Sequence, residues 1–192
     1  SGNPGQDMSC EVCQAGLYQD GTDSTECVAC AQGKYANMVQ AATECIDCVD
    51  NSSSPAQSFA IAHCVCDPGF HFYRYSDQVK HTCIACSKGH YNSEPNSTCV
   101  QCEANTYSDT VASAQCSACP AYSAASSGSI HRDNCTCIPG AFAGETGDCQ
   151  ACSIGKYKSN SGPEACKECL QDTYTDSSGQ ASCQQCHAHS ST

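Results

Sequence analysis

The segment Cys86-Ser-Lys-Gly89-His-Tyr91 is one copy of a short pattern in which glycine follows a cysteine by three residues and tyrosine by five. The pattern is also found in Cys13-Gln-Ala-Gly16-Leu-Tyr18, Cys30-Ala-Gln-Gly33-Lys-Tyr35 and Cys152-Ser-Ile-Gly155-Lys-Tyr157. Two variants carry Asn105 or Asp172 in place of the glycine. Glycine, asparagine and aspartate best tolerate a positive φ, so the pattern predicts a tight left-handed turn. The tyrosine is large enough to cover the neighbouring cysteines, and we expect it to form the small core of each unit.

Beyond this pattern, the cysteines fall in eleven pairs at nearly regular intervals. The first cysteines of successive pairs are 14 to 19 residues apart. Three C-x-x-C pairs are followed by one C-x-C pair, and this order returns after 73 and then 66 residues. Such self-similarity indicates a repeat protein. We therefore divide the chain into a first cysteine-rich super-repeat (1–82), a second (83–148) and an incomplete third (149–192).

The composition requires that something other than an apolar core orders the chain. Of 192 residues, 22 are cysteine, whereas Leu, Ile, Val and Phe together number 20 and tryptophan is absent. So few apolar side chains bury too little surface to offset the entropy lost on folding. Disulfides lower the entropy of the unfolded state instead, by roughly 3 kcal/mol for a loop of about fifteen residues. Because disulfides persist in oxidising compartments, we expect a secreted or cell-surface protein.

Charge and hydropathy argue against two classes of function. The 8 basic and 20 acidic residues give a formal net charge of −12, which opposes binding to the phosphates of nucleic acids. No run of about twenty apolar residues is present, so no membrane insertion is expected in this segment. No signal peptide is visible, and we expect the chain to be a mature product or a fragment of one.

The predicted fold follows from the missing helical periodicity. No segment places apolar residues at helical spacing over three turns. After the two C-x-C pairs, Pro68-Gly69 and Pro139-Gly140 are typical of a type II turn that leads into a short strand. The expected fold is a set of small disulfide-rich repeats, an elongated ladder of short β-hairpins and loops with little or no helix.

The C-x-x-G-x-Y pattern followed by C-x-x-C resembles the cysteine-rich repeats of ephrin receptors and of the tumour-necrosis-factor-receptor family. The segment Cys66-Asp-Pro68-Gly69-Phe70 is also similar to the end of an epidermal-growth-factor-like module. Taken alone, the sequence is compatible with several connectivities. The resemblance implies that the cysteine before G-x-Y bonds to the first cysteine of the next pair. Carried over to this chain, it implies the pairs Cys13–Cys27, Cys30–Cys45, Cys48–Cys64, Cys66–Cys83, Cys86–Cys99, Cys102–Cys116, Cys119–Cys135, Cys137–Cys149, Cys152–Cys166 and Cys169–Cys183.

This pairing leaves Cys10 and Cys186 without partners. Two explanations stay open: the natural chain continues in both directions, or Cys186 of one copy bonds Cys10 of the next. Either explanation predicts an array in which each unit contacts only its neighbours.

Zinc binding and redox catalysis are the alternative uses of C-x-x-C pairs. Eleven evenly spaced pairs do not group into twos as zinc ribbons require, and no helix is predicted that would activate a catalytic thiol. His187 and His189 could place two imidazoles on one face of a strand, with a solvated tail as the competing explanation. We expect no catalytic residue, no metal site and no cofactor, and therefore no enzyme.

Three N-x-S/T sequons, at Asn51, Asn96 and Asn134, are candidate N-glycosylation sites in a secreted protein. Cys135 inside the third sequon is expected to be tied in a disulfide, which makes Asn134 the weakest candidate. The stretches 51–58, 122–129 and 190–192 are rich in serine and threonine, and they are either O-glycan carriers or solvated loops.

The sequence favours a structural function, as a segment of a longer extracellular protein that serves as stalk, surface coat or fibre subunit. The expected partners are other protein chains, either further copies of itself or the rest of a longer parent chain. The alternative is a receptor-like ectodomain that binds a protein ligand through its loops. The candidate contact residues are then the aromatic cluster Phe70, Phe72, Tyr73 and Tyr75, which the matching loop after Cys137 lacks.

Overall fold

The computed structural model describes residues 13–20, 26–37, 42–73 and 82–186 of the chain. In these ranges, twenty short strands pair into ten antiparallel two-stranded hairpins. Two single turns of 3-10 helix, Ile61–His63 and Arg132–Asn134, are the helical elements of the described residues. No helix among them is long and apolar enough to cross a membrane. The prediction of short hairpins with little or no helix is confirmed.

The strands are β1 (Leu17–Tyr18), β2 (Val28–Ala29), β3 (Lys34–Tyr35), β4 (Ile46–Asp47), β5 (Ser52–Ser53), β6 (Val65–Cys66), β7 (Phe70–Tyr73), β8 (Thr82–Ala85), β9 (His90–Tyr91), β10 (Val100–Gln101), β11 (Thr106–Tyr107), β12 (Ser117–Ala118), β13 (Ser123–Ala124), β14 (Thr136–Cys137), β15 (Ala141–Ala143), β16 (Cys149–Ala151), β17 (Lys156–Tyr157), β18 (Lys167–Glu168), β19 (Thr173–Tyr174) and β20 (Gln184–Gln185). Each odd-numbered strand pairs with the even-numbered strand that follows it.

One disulfide ties each hairpin. The structure forms ten disulfides, with Cα atoms 5.4 to 5.8 Å apart, between the same cysteines that the resemblance pairs. We call each disulfide with its hairpin a rung and number the rungs along the chain, from rung 1 (Cys13–Cys27) to rung 10 (Cys169–Cys183). Cys186 is an exposed free thiol, and Cys10 lies outside the described residues.

The hairpin turns adopt the predicted left-handed geometry. Gly89 and Gly155 have φ of 76° and 83°, and Asn105 and Asp172 have φ of 68° and 64°. The carbonyl of the turn residue accepts a hydrogen bond from the chain beyond the second strand, as Gly89 does from the N–H of Cys102 at 2.8 Å. This bond closes the hairpin, so the residue three positions after each cysteine fixes the local fold.

Disulfide cysteines such as Cys30, Cys102 and Cys152 are fully buried in their rungs. The residue after the tyrosine position is buried as well. These residues are at most 8% exposed in seven rungs: Ala36, Ser54, Asn92, Ser108, Ala125, Lys158 and Thr175. The tyrosines themselves are half-buried, and Tyr174 is 37% exposed. The expectation that tyrosine forms the core is therefore wrong, because the disulfide cysteines and the position next to the tyrosine are the buried residues.

The rungs belong to two compact units. Rungs 1 to 4 lie in a unit drawn from Ser1–Ile84 and Glu94–Thr98, which includes the loop of rung 5. Rungs 6 to 10 and the hairpin of rung 5 lie in a unit drawn from Ala85–Ser93 and Cys99–Thr192. The boundaries predicted from the cysteine order, 82/83 and 148/149, stay predictions.

Candidate functional site

Three backbone hydrogen bonds join one rung to the next, and rungs 8 and 9 show them clearly. The turn N–H of Gly140 donates to the carbonyl of the buried Lys158 at 2.7 Å. The N–H of Ala143 donates to the carbonyl of Pro163 at 3.2 Å. In the opposite direction, the loop N–H of Gly162 donates to the carbonyl of Cys137 at 2.8 Å. We call this set of three bonds the clasp.

The clasp recurs between rungs 2 and 3, 5 and 6, 6 and 7, and 9 and 10. In the last of these, the turn N–H of Gly155 donates to the hydroxyl of Thr175 instead of to a carbonyl, at 2.7 Å. The loop residue that reaches back has a positive φ in all five clasps, and these residues are Gln57, Ala112, Gly128, Gly162 and Gly179. Each rung that reaches back therefore carries a second left-handed residue, nine or ten positions after its first cysteine.

A further contact groups the rungs in threes. A Cβ atom on Gly16 would overlap the carbonyl of Gln57, one on Gly89 that of Gly128, and one on Gly140 that of Gly179. In each case the glycine is in the first rung of a group and the carbonyl is in the third. We call rungs 1–3, 5–7 and 8–10 blocks. The expectation that each unit contacts only its neighbours is therefore wrong, since the first rung of a block also packs on the third.

Lys158 adds a side-chain contact to the clasp of rungs 8 and 9. Its side chain is buried, and its ammonium donates to the carbonyls of Ala141 (2.8 Å) and Gly162, 3.8 Å from the carboxylate of Glu164. Ala141 belongs to rung 8, so this side chain links two rungs. A buried ammonium is tolerated only where such partners replace water.

We expect Lys158→Met to lower the free energy of unfolding of the third block by about 1–3 kcal/mol, because two carbonyls lose a donor in a buried place. Hydrogen exchange of the Gly162 amide measures this locally. Lys156→Met is the control, since the Lys156 side chain is 43% exposed and its ammonium lies 3.7 Å from the carboxylate of Glu168 across its own hairpin. An exposed pair of this kind is worth at most about 1 kcal/mol. Equal effects of the two substitutions would contradict a linking function for Lys158.

Tyr122 stands at the turn position of rung 7 with a φ of 61°, where the other rungs have glycine, asparagine or aspartate. Its side chain is 50% exposed. We expect Tyr122→Asn to raise the stability of the second block by up to about 1 kcal/mol, since asparagine tolerates this conformation better. Thermal or denaturant unfolding tests this, with Tyr107→Asn, a half-buried strand residue, expected to destabilise. A loss of stability at both positions would contradict backbone strain at Tyr122.

The aromatic cluster predicted to bind a partner lies in β7, the first strand of rung 4. Phe70 and Phe72 are half-buried, and Tyr73 is 46% exposed. Tyr75 lies outside the described residues. In the matching strand β15, Ala141 is fully buried and Phe142 is half-buried. The two strands therefore differ in exposed aromatic surface, and partner binding by this cluster stays a prediction.

The three sequon asparagines are exposed but differ in what their side chains do. Asn51 forms the turn of rung 3 with a φ of 60°. The side-chain oxygen of Asn96 accepts from the N–H of Cys66 at 3.1 Å. That of Asn134 accepts from the N–H groups of Ile130 (3.2 Å) and His131 (3.0 Å). Glycosylation at all three stays a prediction.

Serines in the predicted O-glycan stretches bond within their own structure. Ser54 and Ser58 are buried, and their hydroxyls donate to the carbonyls of Lys34 and Pro55. Ser129 is buried and donates to the carbonyl of Ser126. Ser126 and Ser127 are exposed. His187, His189 and the stretch 190–192 lie outside the described residues.

Within the described residues, twenty cysteines are bonded in disulfides and Cys186 is the free thiol. Sulfur in a disulfide lacks the thiolate that binds zinc.

Two segments match the family described as tyrosine-protein kinase ephrin type A/B receptor-like, residues 89–135 and 140–186. Each match begins at the glycine whose close contact defines a block. The first match ends at Cys135, in the disulfide of the third rung of its block, and the second ends at Cys186, just after the third hairpin. An 83-residue segment is 37% identical to cysteine repeat modular protein B of Toxoplasma gondii. The aligned segment covers 42% of this chain and 1% of that relative.

Fold and comparisons together define a class: this is a cysteine-rich repeat protein built of disulfide-tied hairpins. Within that class, residues 89–135 and 140–186 are similar to the ephrin-receptor-like cysteine-rich repeats.

Proposed function

We propose that the chain is a non-catalytic structural segment of an extracellular protein and serves in a stalk, a surface coat or a fibre. The observation that carries this proposal is the clasp. The turn and loop groups of the clasped rungs are those with which a ligand-binding loop would contact its partner. Here those groups bind the next rung instead, so the loops hold the repeat array together.

An extracellular location is supported by the ten disulfides, which an oxidising compartment maintains. A net charge of −12 keeps such an exposed chain soluble. The partners we propose are other protein chains, either copies of this one or further parts of a longer parent. Cys186, exposed and unpaired in the structure, is a candidate for a bond to such a partner.

Ligand binding is the second candidate, and one observation favours it. Rung 4 has the longest strands of the described residues, four residues each in β7 and β8, and Tyr73 is exposed on β7. An exposed aromatic side chain on a longer ribbon provides a surface on which a protein ligand can dock.

Immunogold electron microscopy of non-permeabilised cells of the source organism tests the structural proposal. Antibodies against residues 89–186 are expected to label an extended structure outside the membrane. Gold particles confined to the cell interior would contradict the proposal. The double substitution Tyr73→Ser with Tyr75→Ser separates the two candidates: incorporation into the labelled structure is unchanged under the structural function, whereas capture of a cell-surface ligand is abolished under the receptor function.

A further inference from the structure

Rung 8 differs from the other rungs in the length of its loop. Its cysteines are 12 residues apart, whereas the other pairs are 13 to 17 apart. The short loop is bonded to itself, because the N–H of Gly144 donates to the carbonyl of Asp148 at 2.8 Å and that of Gly147 to Gly144 at 2.9 Å. Gly147 stands ten positions after Cys137 and is left-handed, with a φ of 82°, like the residues that reach back elsewhere. Its N–H is bonded inside the loop, so it does not reach back to the preceding rung.

The junction between rungs 7 and 8 has fewer hydrogen bonds because the loop of rung 8 is bonded to itself. The hairpin-closing bond, from the N–H of Ile138 to the carbonyl of Tyr122, is present at 3.0 Å. None of the three clasp bonds forms between the described residues of these two rungs. Two blocks, rungs 5–7 and rungs 8–10, thus meet at a junction without the clasp.

An ion pair and an open cleft stand in its place. The Nη2 of Arg132, in rung 7, donates to the Oδ1 of Asp148, in rung 8, at 2.5 Å. The two side chains are 54% and 52% exposed. Beside them is a cleft of about 210 Å³ lined by Pro120, Ser123, Arg132, Asp133, Gly147 and Asp148. An exposed ion pair is weak and is screened by salt, whereas a clasp of backbone hydrogen bonds is not.

We propose that this junction is an articulation, in which the two blocks pivot about the C-x-C segment Cys135–Cys137 and the Arg132–Asp148 ion pair is the latch. Low ionic strength keeps the latch closed, and high ionic strength releases it. Ile61 stands at the position of Arg132 before the other C-x-C pair, so the latch is particular to rungs 7 and 8. The inference concerns motion within the chain and stands apart from the proposed function.

Residual dipolar couplings of the full disulfide-bonded chain, aligned in a neutral gel, test the articulation without attaching labels to any of its cysteines. In 10 mM NaCl, one alignment tensor is expected to fit the amides of rungs 5–7 and rungs 8–10 together. In 500 mM NaCl, or in Asp148→Asn and Arg132→Gln at low salt, the two blocks are expected to require separate tensors. The control is Glu168→Gln, which removes an ion pair inside rung 9, and it is expected to keep the single tensor.

Two outcomes would overturn the inference. A single tensor that fits both blocks in 500 mM NaCl and in both latch variants would show that the junction is rigid without the ion pair. Separate tensors for the control at low salt would show that loosening does not depend on the latch. The high-salt measurement uses the unmodified chain, so it decides the question even if a variant misfolds.

Discussion

Gly140→Ala is expected to disrupt the third block, lowering the free energy of unfolding of rungs 8–10 by about 3 kcal/mol or more. Two physical causes add here. A non-glycine residue at a φ of 84° costs about 1–2 kcal/mol. The new methyl group would also overlap the backbone carbonyl of Gly179. Forcing the backbone to shift in a packed region costs about 1–3 kcal/mol more.

Native-state hydrogen exchange of the Gly179 amide, which donates to the carbonyl of Cys152 at 2.8 Å, measures this loss where it occurs. Gly155→Ala is the matched control. Gly155 has nearly the same φ, 83°, but nothing lies within 4 Å of where its Cβ would be. It is therefore expected to cost only about 1–2 kcal/mol. If the two substitutions lower the free energy of unfolding equally, this would contradict close packing of the first rung of a block on the third.

Replacing Cys102 and Cys116 together by alanine is expected to unfold the second block while leaving the third folded. The disulfide of rung 6 closes a 14-residue separation, and its loss removes roughly 3 kcal/mol of constraint on the unfolded chain. Cys102 is also fully buried, so the substitution leaves a small cavity. Both neighbouring rungs depend on rung 6 through their clasps, and the loss should spread to them.

Amide exchange resolved by rung measures how far the loss spreads. Removal of the Cys169–Cys183 disulfide is the control, because it has the same separation of 14 residues but lies in the last rung of its block. We expect this control to reduce protection in rung 10 and its clasp with rung 9. Loss of protection in rungs 8–10 after the change in rung 6 would contradict the division into blocks at the rung 7/8 junction.

Much of the local fold could be predicted because the turn residues leave a side-chain signal. Gly89 and Asn105 indicate a positive φ, and the cysteines around them indicate where a hairpin begins and ends. Tyr122 gave no such signal, because tyrosine is uncommon at a positive φ. Its turn is visible only in the structure, where its carbonyl accepts the hairpin-closing bond from the N–H of Ile138. The turn at Asn51 was missed as well, since no tyrosine follows it in the pattern.

The clasp could not be predicted for a different reason. It joins backbone groups, which every residue carries, so the side chains at its positions are free to vary. The buried position is Ala36 in one rung, Asn92 in another and Lys158 in a third, chemically unrelated residues that share only their backbone bonds. The glycines at 128, 162 and 179 indicate the second left-handed residue, whereas Gln57 and Ala112 at the same position give no such signal in the sequence.

The glycines at the first rung of each block are needed for close packing as well as for a positive φ. Gly16, Gly89 and Gly140 are required for close packing, whereas Gly33 and Gly155 have no such neighbour. Sequence spacing alone does not separate the two groups, because both follow a cysteine by three residues. The aromatic residues of β7, the candidate partner surface, can be identified from the sequence. Whether a ligand contacts them depends on a molecule outside the chain, so neither the sequence nor the fold decides it.

The central claim, an array of rungs each closed by its own disulfide, is tested most directly by a disulfide map of the native protein. Non-reducing proteolysis with mass spectrometry is expected to find ten bonds, each joining the cysteine before a hairpin turn to the first cysteine of the next pair, from Cys13–Cys27 to Cys169–Cys183. A peptide that joins Cys13 to Cys30 would contradict the account. So would cysteine pairs that are reduced and carry the extra mass of a metal ion, which a chelator removes.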